Sequence, residues 1–112
     1  MPVMTQTEGM IVRTWSATAD AAGAASYSRY FDGTLLPGLR ALPGFNGAYL
    51  LRRDLGDGTV ELTAHTFWAS AAAIRAFAGD DITVSVVEPE AQAMLLSFDH
   101  TAAHRNVVVD AR

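Results

Sequence analysis

Three histidines, eight basic residues that are all arginine, and no cysteine define the reactive side chains of this sequence. His65 is the sharpest candidate. In the run over residues 60–68 it alternates with Thr63 and Phe67 on one face, while Leu62, Ala64, Thr66 and Trp68 take the other. A histidine there could act as a base near neutral pH or ligate a metal; the commoner fate of such a ring is a hydrogen-bonded core or lumen position. Arg13 and Trp15 share a face of the first β-rich run. A cation beside an aromatic ring could hold a planar, anionic aromatic ligand by charge and stacking, or the pair could cover a rim or form an intersubunit ion pair. Tyr27 and Tyr30 read first as core, although a phenol at a cleft edge could donate a proton. Trp68, at a strand-to-helix junction, would seal the helix against the sheet. His104 opens the last β-branched run and is expected to cap that strand or join it to its neighbour. His100, after Asp99 in a polar loop, reads as solvated. Of Arg52 and Arg53, which point to opposite faces, at most one could serve a site.

No metal set emerges. His65, His100 and His104 lack the tight spacing of zinc motifs, and His100 and His104 would need a helix where a strand begins. Gly56-Asp57-Gly58 is a hairpin signal, not a phosphate loop. There is no Gly-x-Ser-x-Gly and no nucleophile–base pair. Without cysteine, disulfides, iron–sulfur clusters and thiol catalysis are excluded.

The elements that must position these residues follow from pattern. Residues 10–17 are β-branched and aromatic enough for a first strand. Asp20 stands where an N-cap belongs, ahead of a helix whose buried stripe is Tyr27, Tyr30, Phe31 and Leu35. Gly33 and Pro37-Gly38 predict a break, then a turn or short helix over residues 39–42. Strands at 45–53 and 60–68 flank the Gly/Asp-rich hairpin. Ser70 caps a second helix with Ile74 and Phe77 inward and Gly79 at its end. Residues 82–87 are β-branched and ambiguous. Glu88-Pro89-Glu90 starts a short helix expected to run through 91–98 with Met94, Leu95 and Phe98 buried, and residues 104–110 form the last strand. Residues 1–9 are expected to be a flexible segment ahead of a single domain over 10–112.

At 112 residues one domain is expected. The net charge of −4 argues against nucleic acid, whose phosphates need concentrated basic surface. The start lacks the basic and apolar runs of a signal peptide, and no stretch reaches the roughly 20 apolar residues of a membrane span. A cytoplasmic protein is expected. Ala48 to Leu51 are apolar in succession, as in a sheet covered on both faces, so a partner sheet is expected.

The order βαββαβ is the ferredoxin-like α+β arrangement, an antiparallel four-stranded sheet ordered 4-1-3-2 with helices on one face. With Pro43-Gly44-Phe45, then Trp68-Ala69-Ser70 and Phe77-Ala78-Gly79, the chain resembles the antibiotic-biosynthesis monooxygenase family of dimeric α/β barrels over about residues 10–110. The resemblance implies a homodimer and cofactor-independent oxygenation of a small aromatic or polyketide-type molecule. In that chemistry His65 would be the base, Arg13 the anion stabiliser, and Trp15, Tyr27 and Trp68 the walls. His104 falls where the family commonly has histidine, in an ending like His-Tyr-x-Val; here Arg105 replaces the aromatic. Haem-degrading proteins on this fold need an asparagine on the first strand and a histidine about ten residues beyond the tryptophan. Residues 10–17 contain no asparagine and the second position is Ala78, so haem is the least favoured activity. A dimeric domain that binds a hydrophobic metabolite without catalysis is the remaining alternative.

Overall fold

A computed structural model describes residues 10–111; the expected flexible segment over 1–9 lies outside the described residues. The chain runs β1 (Ile11–Asp20), α1 (Ala21–Tyr30), a π-helical turn (Phe31–Leu35), α2 (Leu36–Arg40), β2 (Phe45–Asp54), β3 (Thr59–Trp68), α3 (Ala71–Ala78), α4 (Pro89–Gln92), β4 (Ser97–Phe98) and β5 (Ala103–Asn106). The sheet order is β2-β3-β1-β4, with β5 also on β1, and every pairing is antiparallel. This is the expected ferredoxin-like order, with the fourth strand in two pieces.

Helix starts follow the capping residues. The Asp20 carboxylate accepts from the Gly23 amide at 2.7 Å, and the Ser70 hydroxyl accepts from the Ala73 amide at 3.1 Å, each satisfying a donor that the first turn leaves free. Strand alternation then divides the sheet. Arg13, Trp15, Ala17 and Ala19 of β1 align with Thr66, Ala64, Leu62 and Val60 of β3 under the helices. Val12, Thr14, Ser16 and Thr18 align with Phe67, His65, Thr63 and Glu61 on the other face, which no helix among the described residues covers.

The core has two parts. One gathers Ala24, Tyr27, Tyr30 and Phe31 over Val60, Leu62 and Ala64; the other centres on Leu39, Trp68 and Ile74. The stretch between them departs from expectation. Instead of breaking near Gly33 and Pro37-Gly38, the helical path continues as a π turn in which the Leu36 amide reaches back five residues to the Phe31 carbonyl. Pro37 is tolerated because it falls in the first turn of α2, where a missing N–H costs little. The wide turn sets Phe31 over one core and Leu39 over the other.

Two further expectations are corrected. The helix expected through residue 98 stops at Gln92, because the open edge of β1 offers better partners. The Leu96 amide donates to the Thr18 carbonyl at 2.8 Å and Ser97–Phe98 pairs with Thr18 and Ala17. Met94 and Leu95 still pack on the first core, whereas Phe98 stands beside His100. The last strand ends at Asn106 rather than 110; the Val107 amide still donates to the Met10 carbonyl at 2.9 Å, and Val108 and Val109 are exposed.

Gly44 is a tight junction between the turn before β2 and α3. Its φ is +87°, and a Cβ there would come 2.6 Å from the Ala73 Cβ. Gly44→Ala is expected to cost about 2 kcal/mol or more, from the left-handed backbone and the clash together. Chemical denaturation reads this, and an unchanged midpoint would contradict it.

Candidate functional site

Between the two parts of the core lies a cavity of about 40 Å³, lined by Arg13, Trp15, Tyr27, Phe31, Leu35, Leu39, Ala64, Thr66 and Phe77. Wider hollows exist, such as one of about 260 Å³ along Leu51, Arg52, Arg53, Glu61 and Thr63, but this is an open groove on the uncovered sheet face. The interior cavity combines aromatic walls with a buried charge. Its floor is β1 and β3, its roof α1 and the π turn, and its end the ring of Phe77 on α3.

Arg13 is only 4% exposed, and its burial pulls the guanidinium below its ordinary value. Nη1 donates to the Ile82 carbonyl and lies 2.9 Å from His104 Nε2; Nη2 donates to the Val84 carbonyl at 3.0 Å. Its Cζ stands 5.8 Å from the centre of the Phe77 ring. Arginine can only donate, so His104 Nε2 accepts and its proton sits on Nδ1. The imidazole is therefore neutral, in keeping with burial and then the Arg13 charge, which both hold it below the ordinary histidine value. Ion pairs among the described residues are Arg52 with Asp54 and Arg53 with Glu61; none reaches Arg13. The site thus carries an uncancelled positive charge beside apolar walls, where charges interact more strongly than in water.

The walls are fixed by their own bonds. Trp15 Nε1 donates to the Asp99 carbonyl at 2.8 Å and its ring lies 6.0 Å from that of Tyr27. Tyr27 is buried, and burial followed by the neighbouring Tyr30 pushes its phenol well up, so it stays protonated: a donor, not a base. Trp68 does not line the cavity. It is fully buried, stacks on Phe77 at 5.9 Å and donates to the Thr66 hydroxyl at 2.8 Å, so it positions two lining residues from behind.

Arg13, Trp15 and Tyr27 line one cavity, and His104 joins them through Arg13. His65 does not. It pairs with Thr14 and Tyr49 on the uncovered face, with the sheet between it and Arg13, so the two cannot close on one substrate. Strand alternation forces this, since Arg13 and His65 have opposite parity in the β1–β3 register. Phe31, Leu35 and Phe77 were legible only as core. The carbonyls of Ile82 and Val84 had no signal, because backbone atoms of an irregular segment carry none. Among the described residues no group of three or more potential metal ligands converges, and no helix is long and apolar enough to cross a membrane.

The neutral His104 makes stability depend on pH. The folded state disfavours the imidazolium, so the unfolded chain binds the proton more readily and stability rises with pH. The contribution is present above the ordinary histidine range, about pH 6.5, and is lost as pH falls through that range toward the lower folded value. A melting series from about pH 8 to 5 is expected to show a steeper acid decline for the wild type than for His104→Gln, which cannot titrate. Parallel curves would contradict a neutral, half-buried acceptor.

No family model matches the chain, and no curated protein matches it by sequence. Solved structures do resemble it. A candidate antibiotic biosynthesis monooxygenase from Bacillus cereus superposes with a TM-score of 0.64 at 17% identity, covering 93% of this chain and 98% of its own. A haem-degrading protein from Mycobacterium tuberculosis gives 0.55 at 22% identity, covering 93% and 98%. A variant of SnoaB, a cofactor-independent oxygenase from Streptomyces nogalater, gives 0.51 at 20% identity, covering 86% and 88%. At such identities the likeness establishes the ferredoxin-like fold.

Proposed function

We propose that this chain is a homodimeric, cofactor-independent monooxygenase of the antibiotic-biosynthesis type, acting on a small, acidic aromatic or polyketide-type molecule. The observation that carries the reading is the uncancelled Arg13 charge on an aromatic-walled cavity. The fold shared with SnoaB and the Bacillus cereus protein supports it.

In this chemistry a phenol or anthrone loses a proton and its anion is held by Arg13. The anion gives one electron to dioxygen, the radical pair recombines to a C–O bond, and protonation yields a hydroperoxide. Loss of water leaves the carbonyl of a quinone, so one oxygen atom enters product and the other leaves as water. The cavity lining holds no carboxylate or histidine. The proton therefore passes to water, made favourable because Arg13 stabilises the anion, and a proton from water later completes the hydroperoxide; His65 is no part of the step. Tyr27, a protonated phenol, can share a hydrogen bond with the developing anion. The free volume is far below that of ordinary ligand pockets, so binding requires the roof to yield. The π turn is the place for that, being an interruption of the regular helix of the kind that recurs at functional sites.

The dimer is carried by the uncovered sheet face, where Tyr49 and Leu51 are nearly half exposed and Tyr49 meets Phe67 edge-on. Such a face is unusual on a monomer and suits a second copy.

Non-catalytic binding of a hydrophobic metabolite is the second reading, favoured by the absence of a base in the lining. Haem degradation is not proposed: no histidine lines the cavity, and the positions that haem-degrading proteins on this fold need are filled by neither asparagine on the first strand nor histidine at Ala78. The deciding experiment follows oxygen uptake and quinone absorbance when purified protein, free of added metal, meets an anthrone-type polyketide in air. Uptake above the spontaneous rate supports the oxygenase. A ligand-dependent rise in melting temperature without uptake would favour the binding protein.

A further inference from the structure

The acceptor chosen for Arg13 decides what the cavity can hold. Buried arginines usually meet a carboxylate, which satisfies the fork and cancels its charge. Here β5 places His104 directly across from Arg13 in the antiparallel register, on the same row as Thr66 of β3. The contact is Nη1 to Nε2 at 2.9 Å, and the remaining acceptors are two backbone carbonyls. Every partner is neutral. Three of the five guanidinium donors are thereby fixed, the plane of the fork is set, and the full positive charge is left over.

We propose that His104 is a positioning residue that orients the Arg13 fork as a neutral acceptor, keeping its charge available for a monoanionic, planar aromatic ligand such as a phenolate, enolate or aryl carboxylate. The inference deepens the reading of the cavity given above and rests on it. A glutamate at 104 would hold the fork more tightly yet cancel its charge and abolish the site, whereas a glutamine would hold it and preserve the site. A purely structural histidine predicts the opposite ranking for glutamate, since a charged acceptor grips arginine more tightly than a neutral one.

The test uses 2-naphthoate, which is fully ionised at neutral pH and inert to oxygen, with 2-naphthylmethanol as the uncharged control. Titration calorimetry and melting curves are run on the wild type, His104→Gln and His104→Glu. The wild type is expected to bind naphthoate in preference to the alcohol, His104→Gln to bind within about threefold of it, and His104→Glu to lose at least tenfold. His104→Glu should nevertheless melt no lower than His104→Gln. Wild-type affinity in His104→Glu overturns the proposal, as does an equal loss in both variants. Failure of the wild type to prefer naphthoate also overturns it and removes the anion site the oxygenase reading uses; oxygen uptake with an anthrone then decides that reading separately. The expected pattern in a protein that consumes no oxygen would instead retire the oxygenase and leave the role of His104 in place.

Discussion

Arg13→Gln is expected to lower cofactor-free oxygen uptake about a hundredfold. The figure follows from the charge lost: at about 4 Å and an effective dielectric near 20 a unit pair is worth about 4 kcal/mol, part of which desolvation offsets, and removing one donor from an anion-stabilising site costs about 100- to 1,000-fold in turnover. Glutamine keeps a donor for one of the carbonyls of Ile82 and Val84, so the fold should survive with a loss of about 1–3 kcal/mol for the contact left unmade. Arg13→Lys keeps the charge but not the fork and should fall between, about tenfold down. Stopped-flow oxygen uptake with thermal melts on the same samples separates the two roles. If Arg13→Gln melts lower yet turns over within threefold of the wild type, Arg13 serves only to pin the 82–84 segment to β1, and the anion site is wrong.

The second large effect is on assembly. Leu51→Glu is expected to convert the protein from dimer to monomer at micromolar concentration. Leu51 is 45% exposed in the isolated chain, on the uncovered face, opposite Thr63 of β3. Two-fold symmetry would bring the new carboxylate into the interface twice. At about 2 kcal/mol for each buried charge, which is conservative, the dissociation constant rises about a thousandfold. Light scattering reads the mass directly. The cavity lies on the other face of the sheet, so binding of 2-naphthoate should persist in the monomer if that form stays folded. A wild type that scatters as a monomer at the same concentration would remove the dimer itself.

How legible the chain was depends on the range of the interactions. Asp20 and Ser70 were readable as caps because each bonds an amide three residues on. Strand β3 was readable to the residue at its C-terminal end, and its two faces divided as alternation requires, because the side-chain period of two is a property of the chain alone. The stripe of Tyr27, Tyr30 and Phe31 was readable for the same kind of reason, at helical period. Gly33 and Pro37 misled, because propensity registers a helix breaker but not the packing of Phe31 and Leu39 into two cores that holds the path together across it. Residues 93–98 misled because helix and strand compete closely there, and the outcome turned on the vacant edge of β1.

The candidate site divides along the same line. Composition and alternation by themselves determined that Arg13 and Trp15 share one face, that His65 stands among Thr63 and Phe67, and that no thiol chemistry is possible. Only the tertiary structure decided which face the helices would cover, and so that Arg13 would be buried while His65 was left on the open side. It also decided that His104, 91 residues away, and the carbonyls of Ile82 and Val84 would be the partners of that guanidinium. The physical reason is that alternation puts Arg13 and His65 on opposite faces, but a charged side chain gives no local sign that its own face is the one to be buried. The choice is made by where α1 and α3 dock, and the charge that matters most is set by atoms which the sequence keeps far apart.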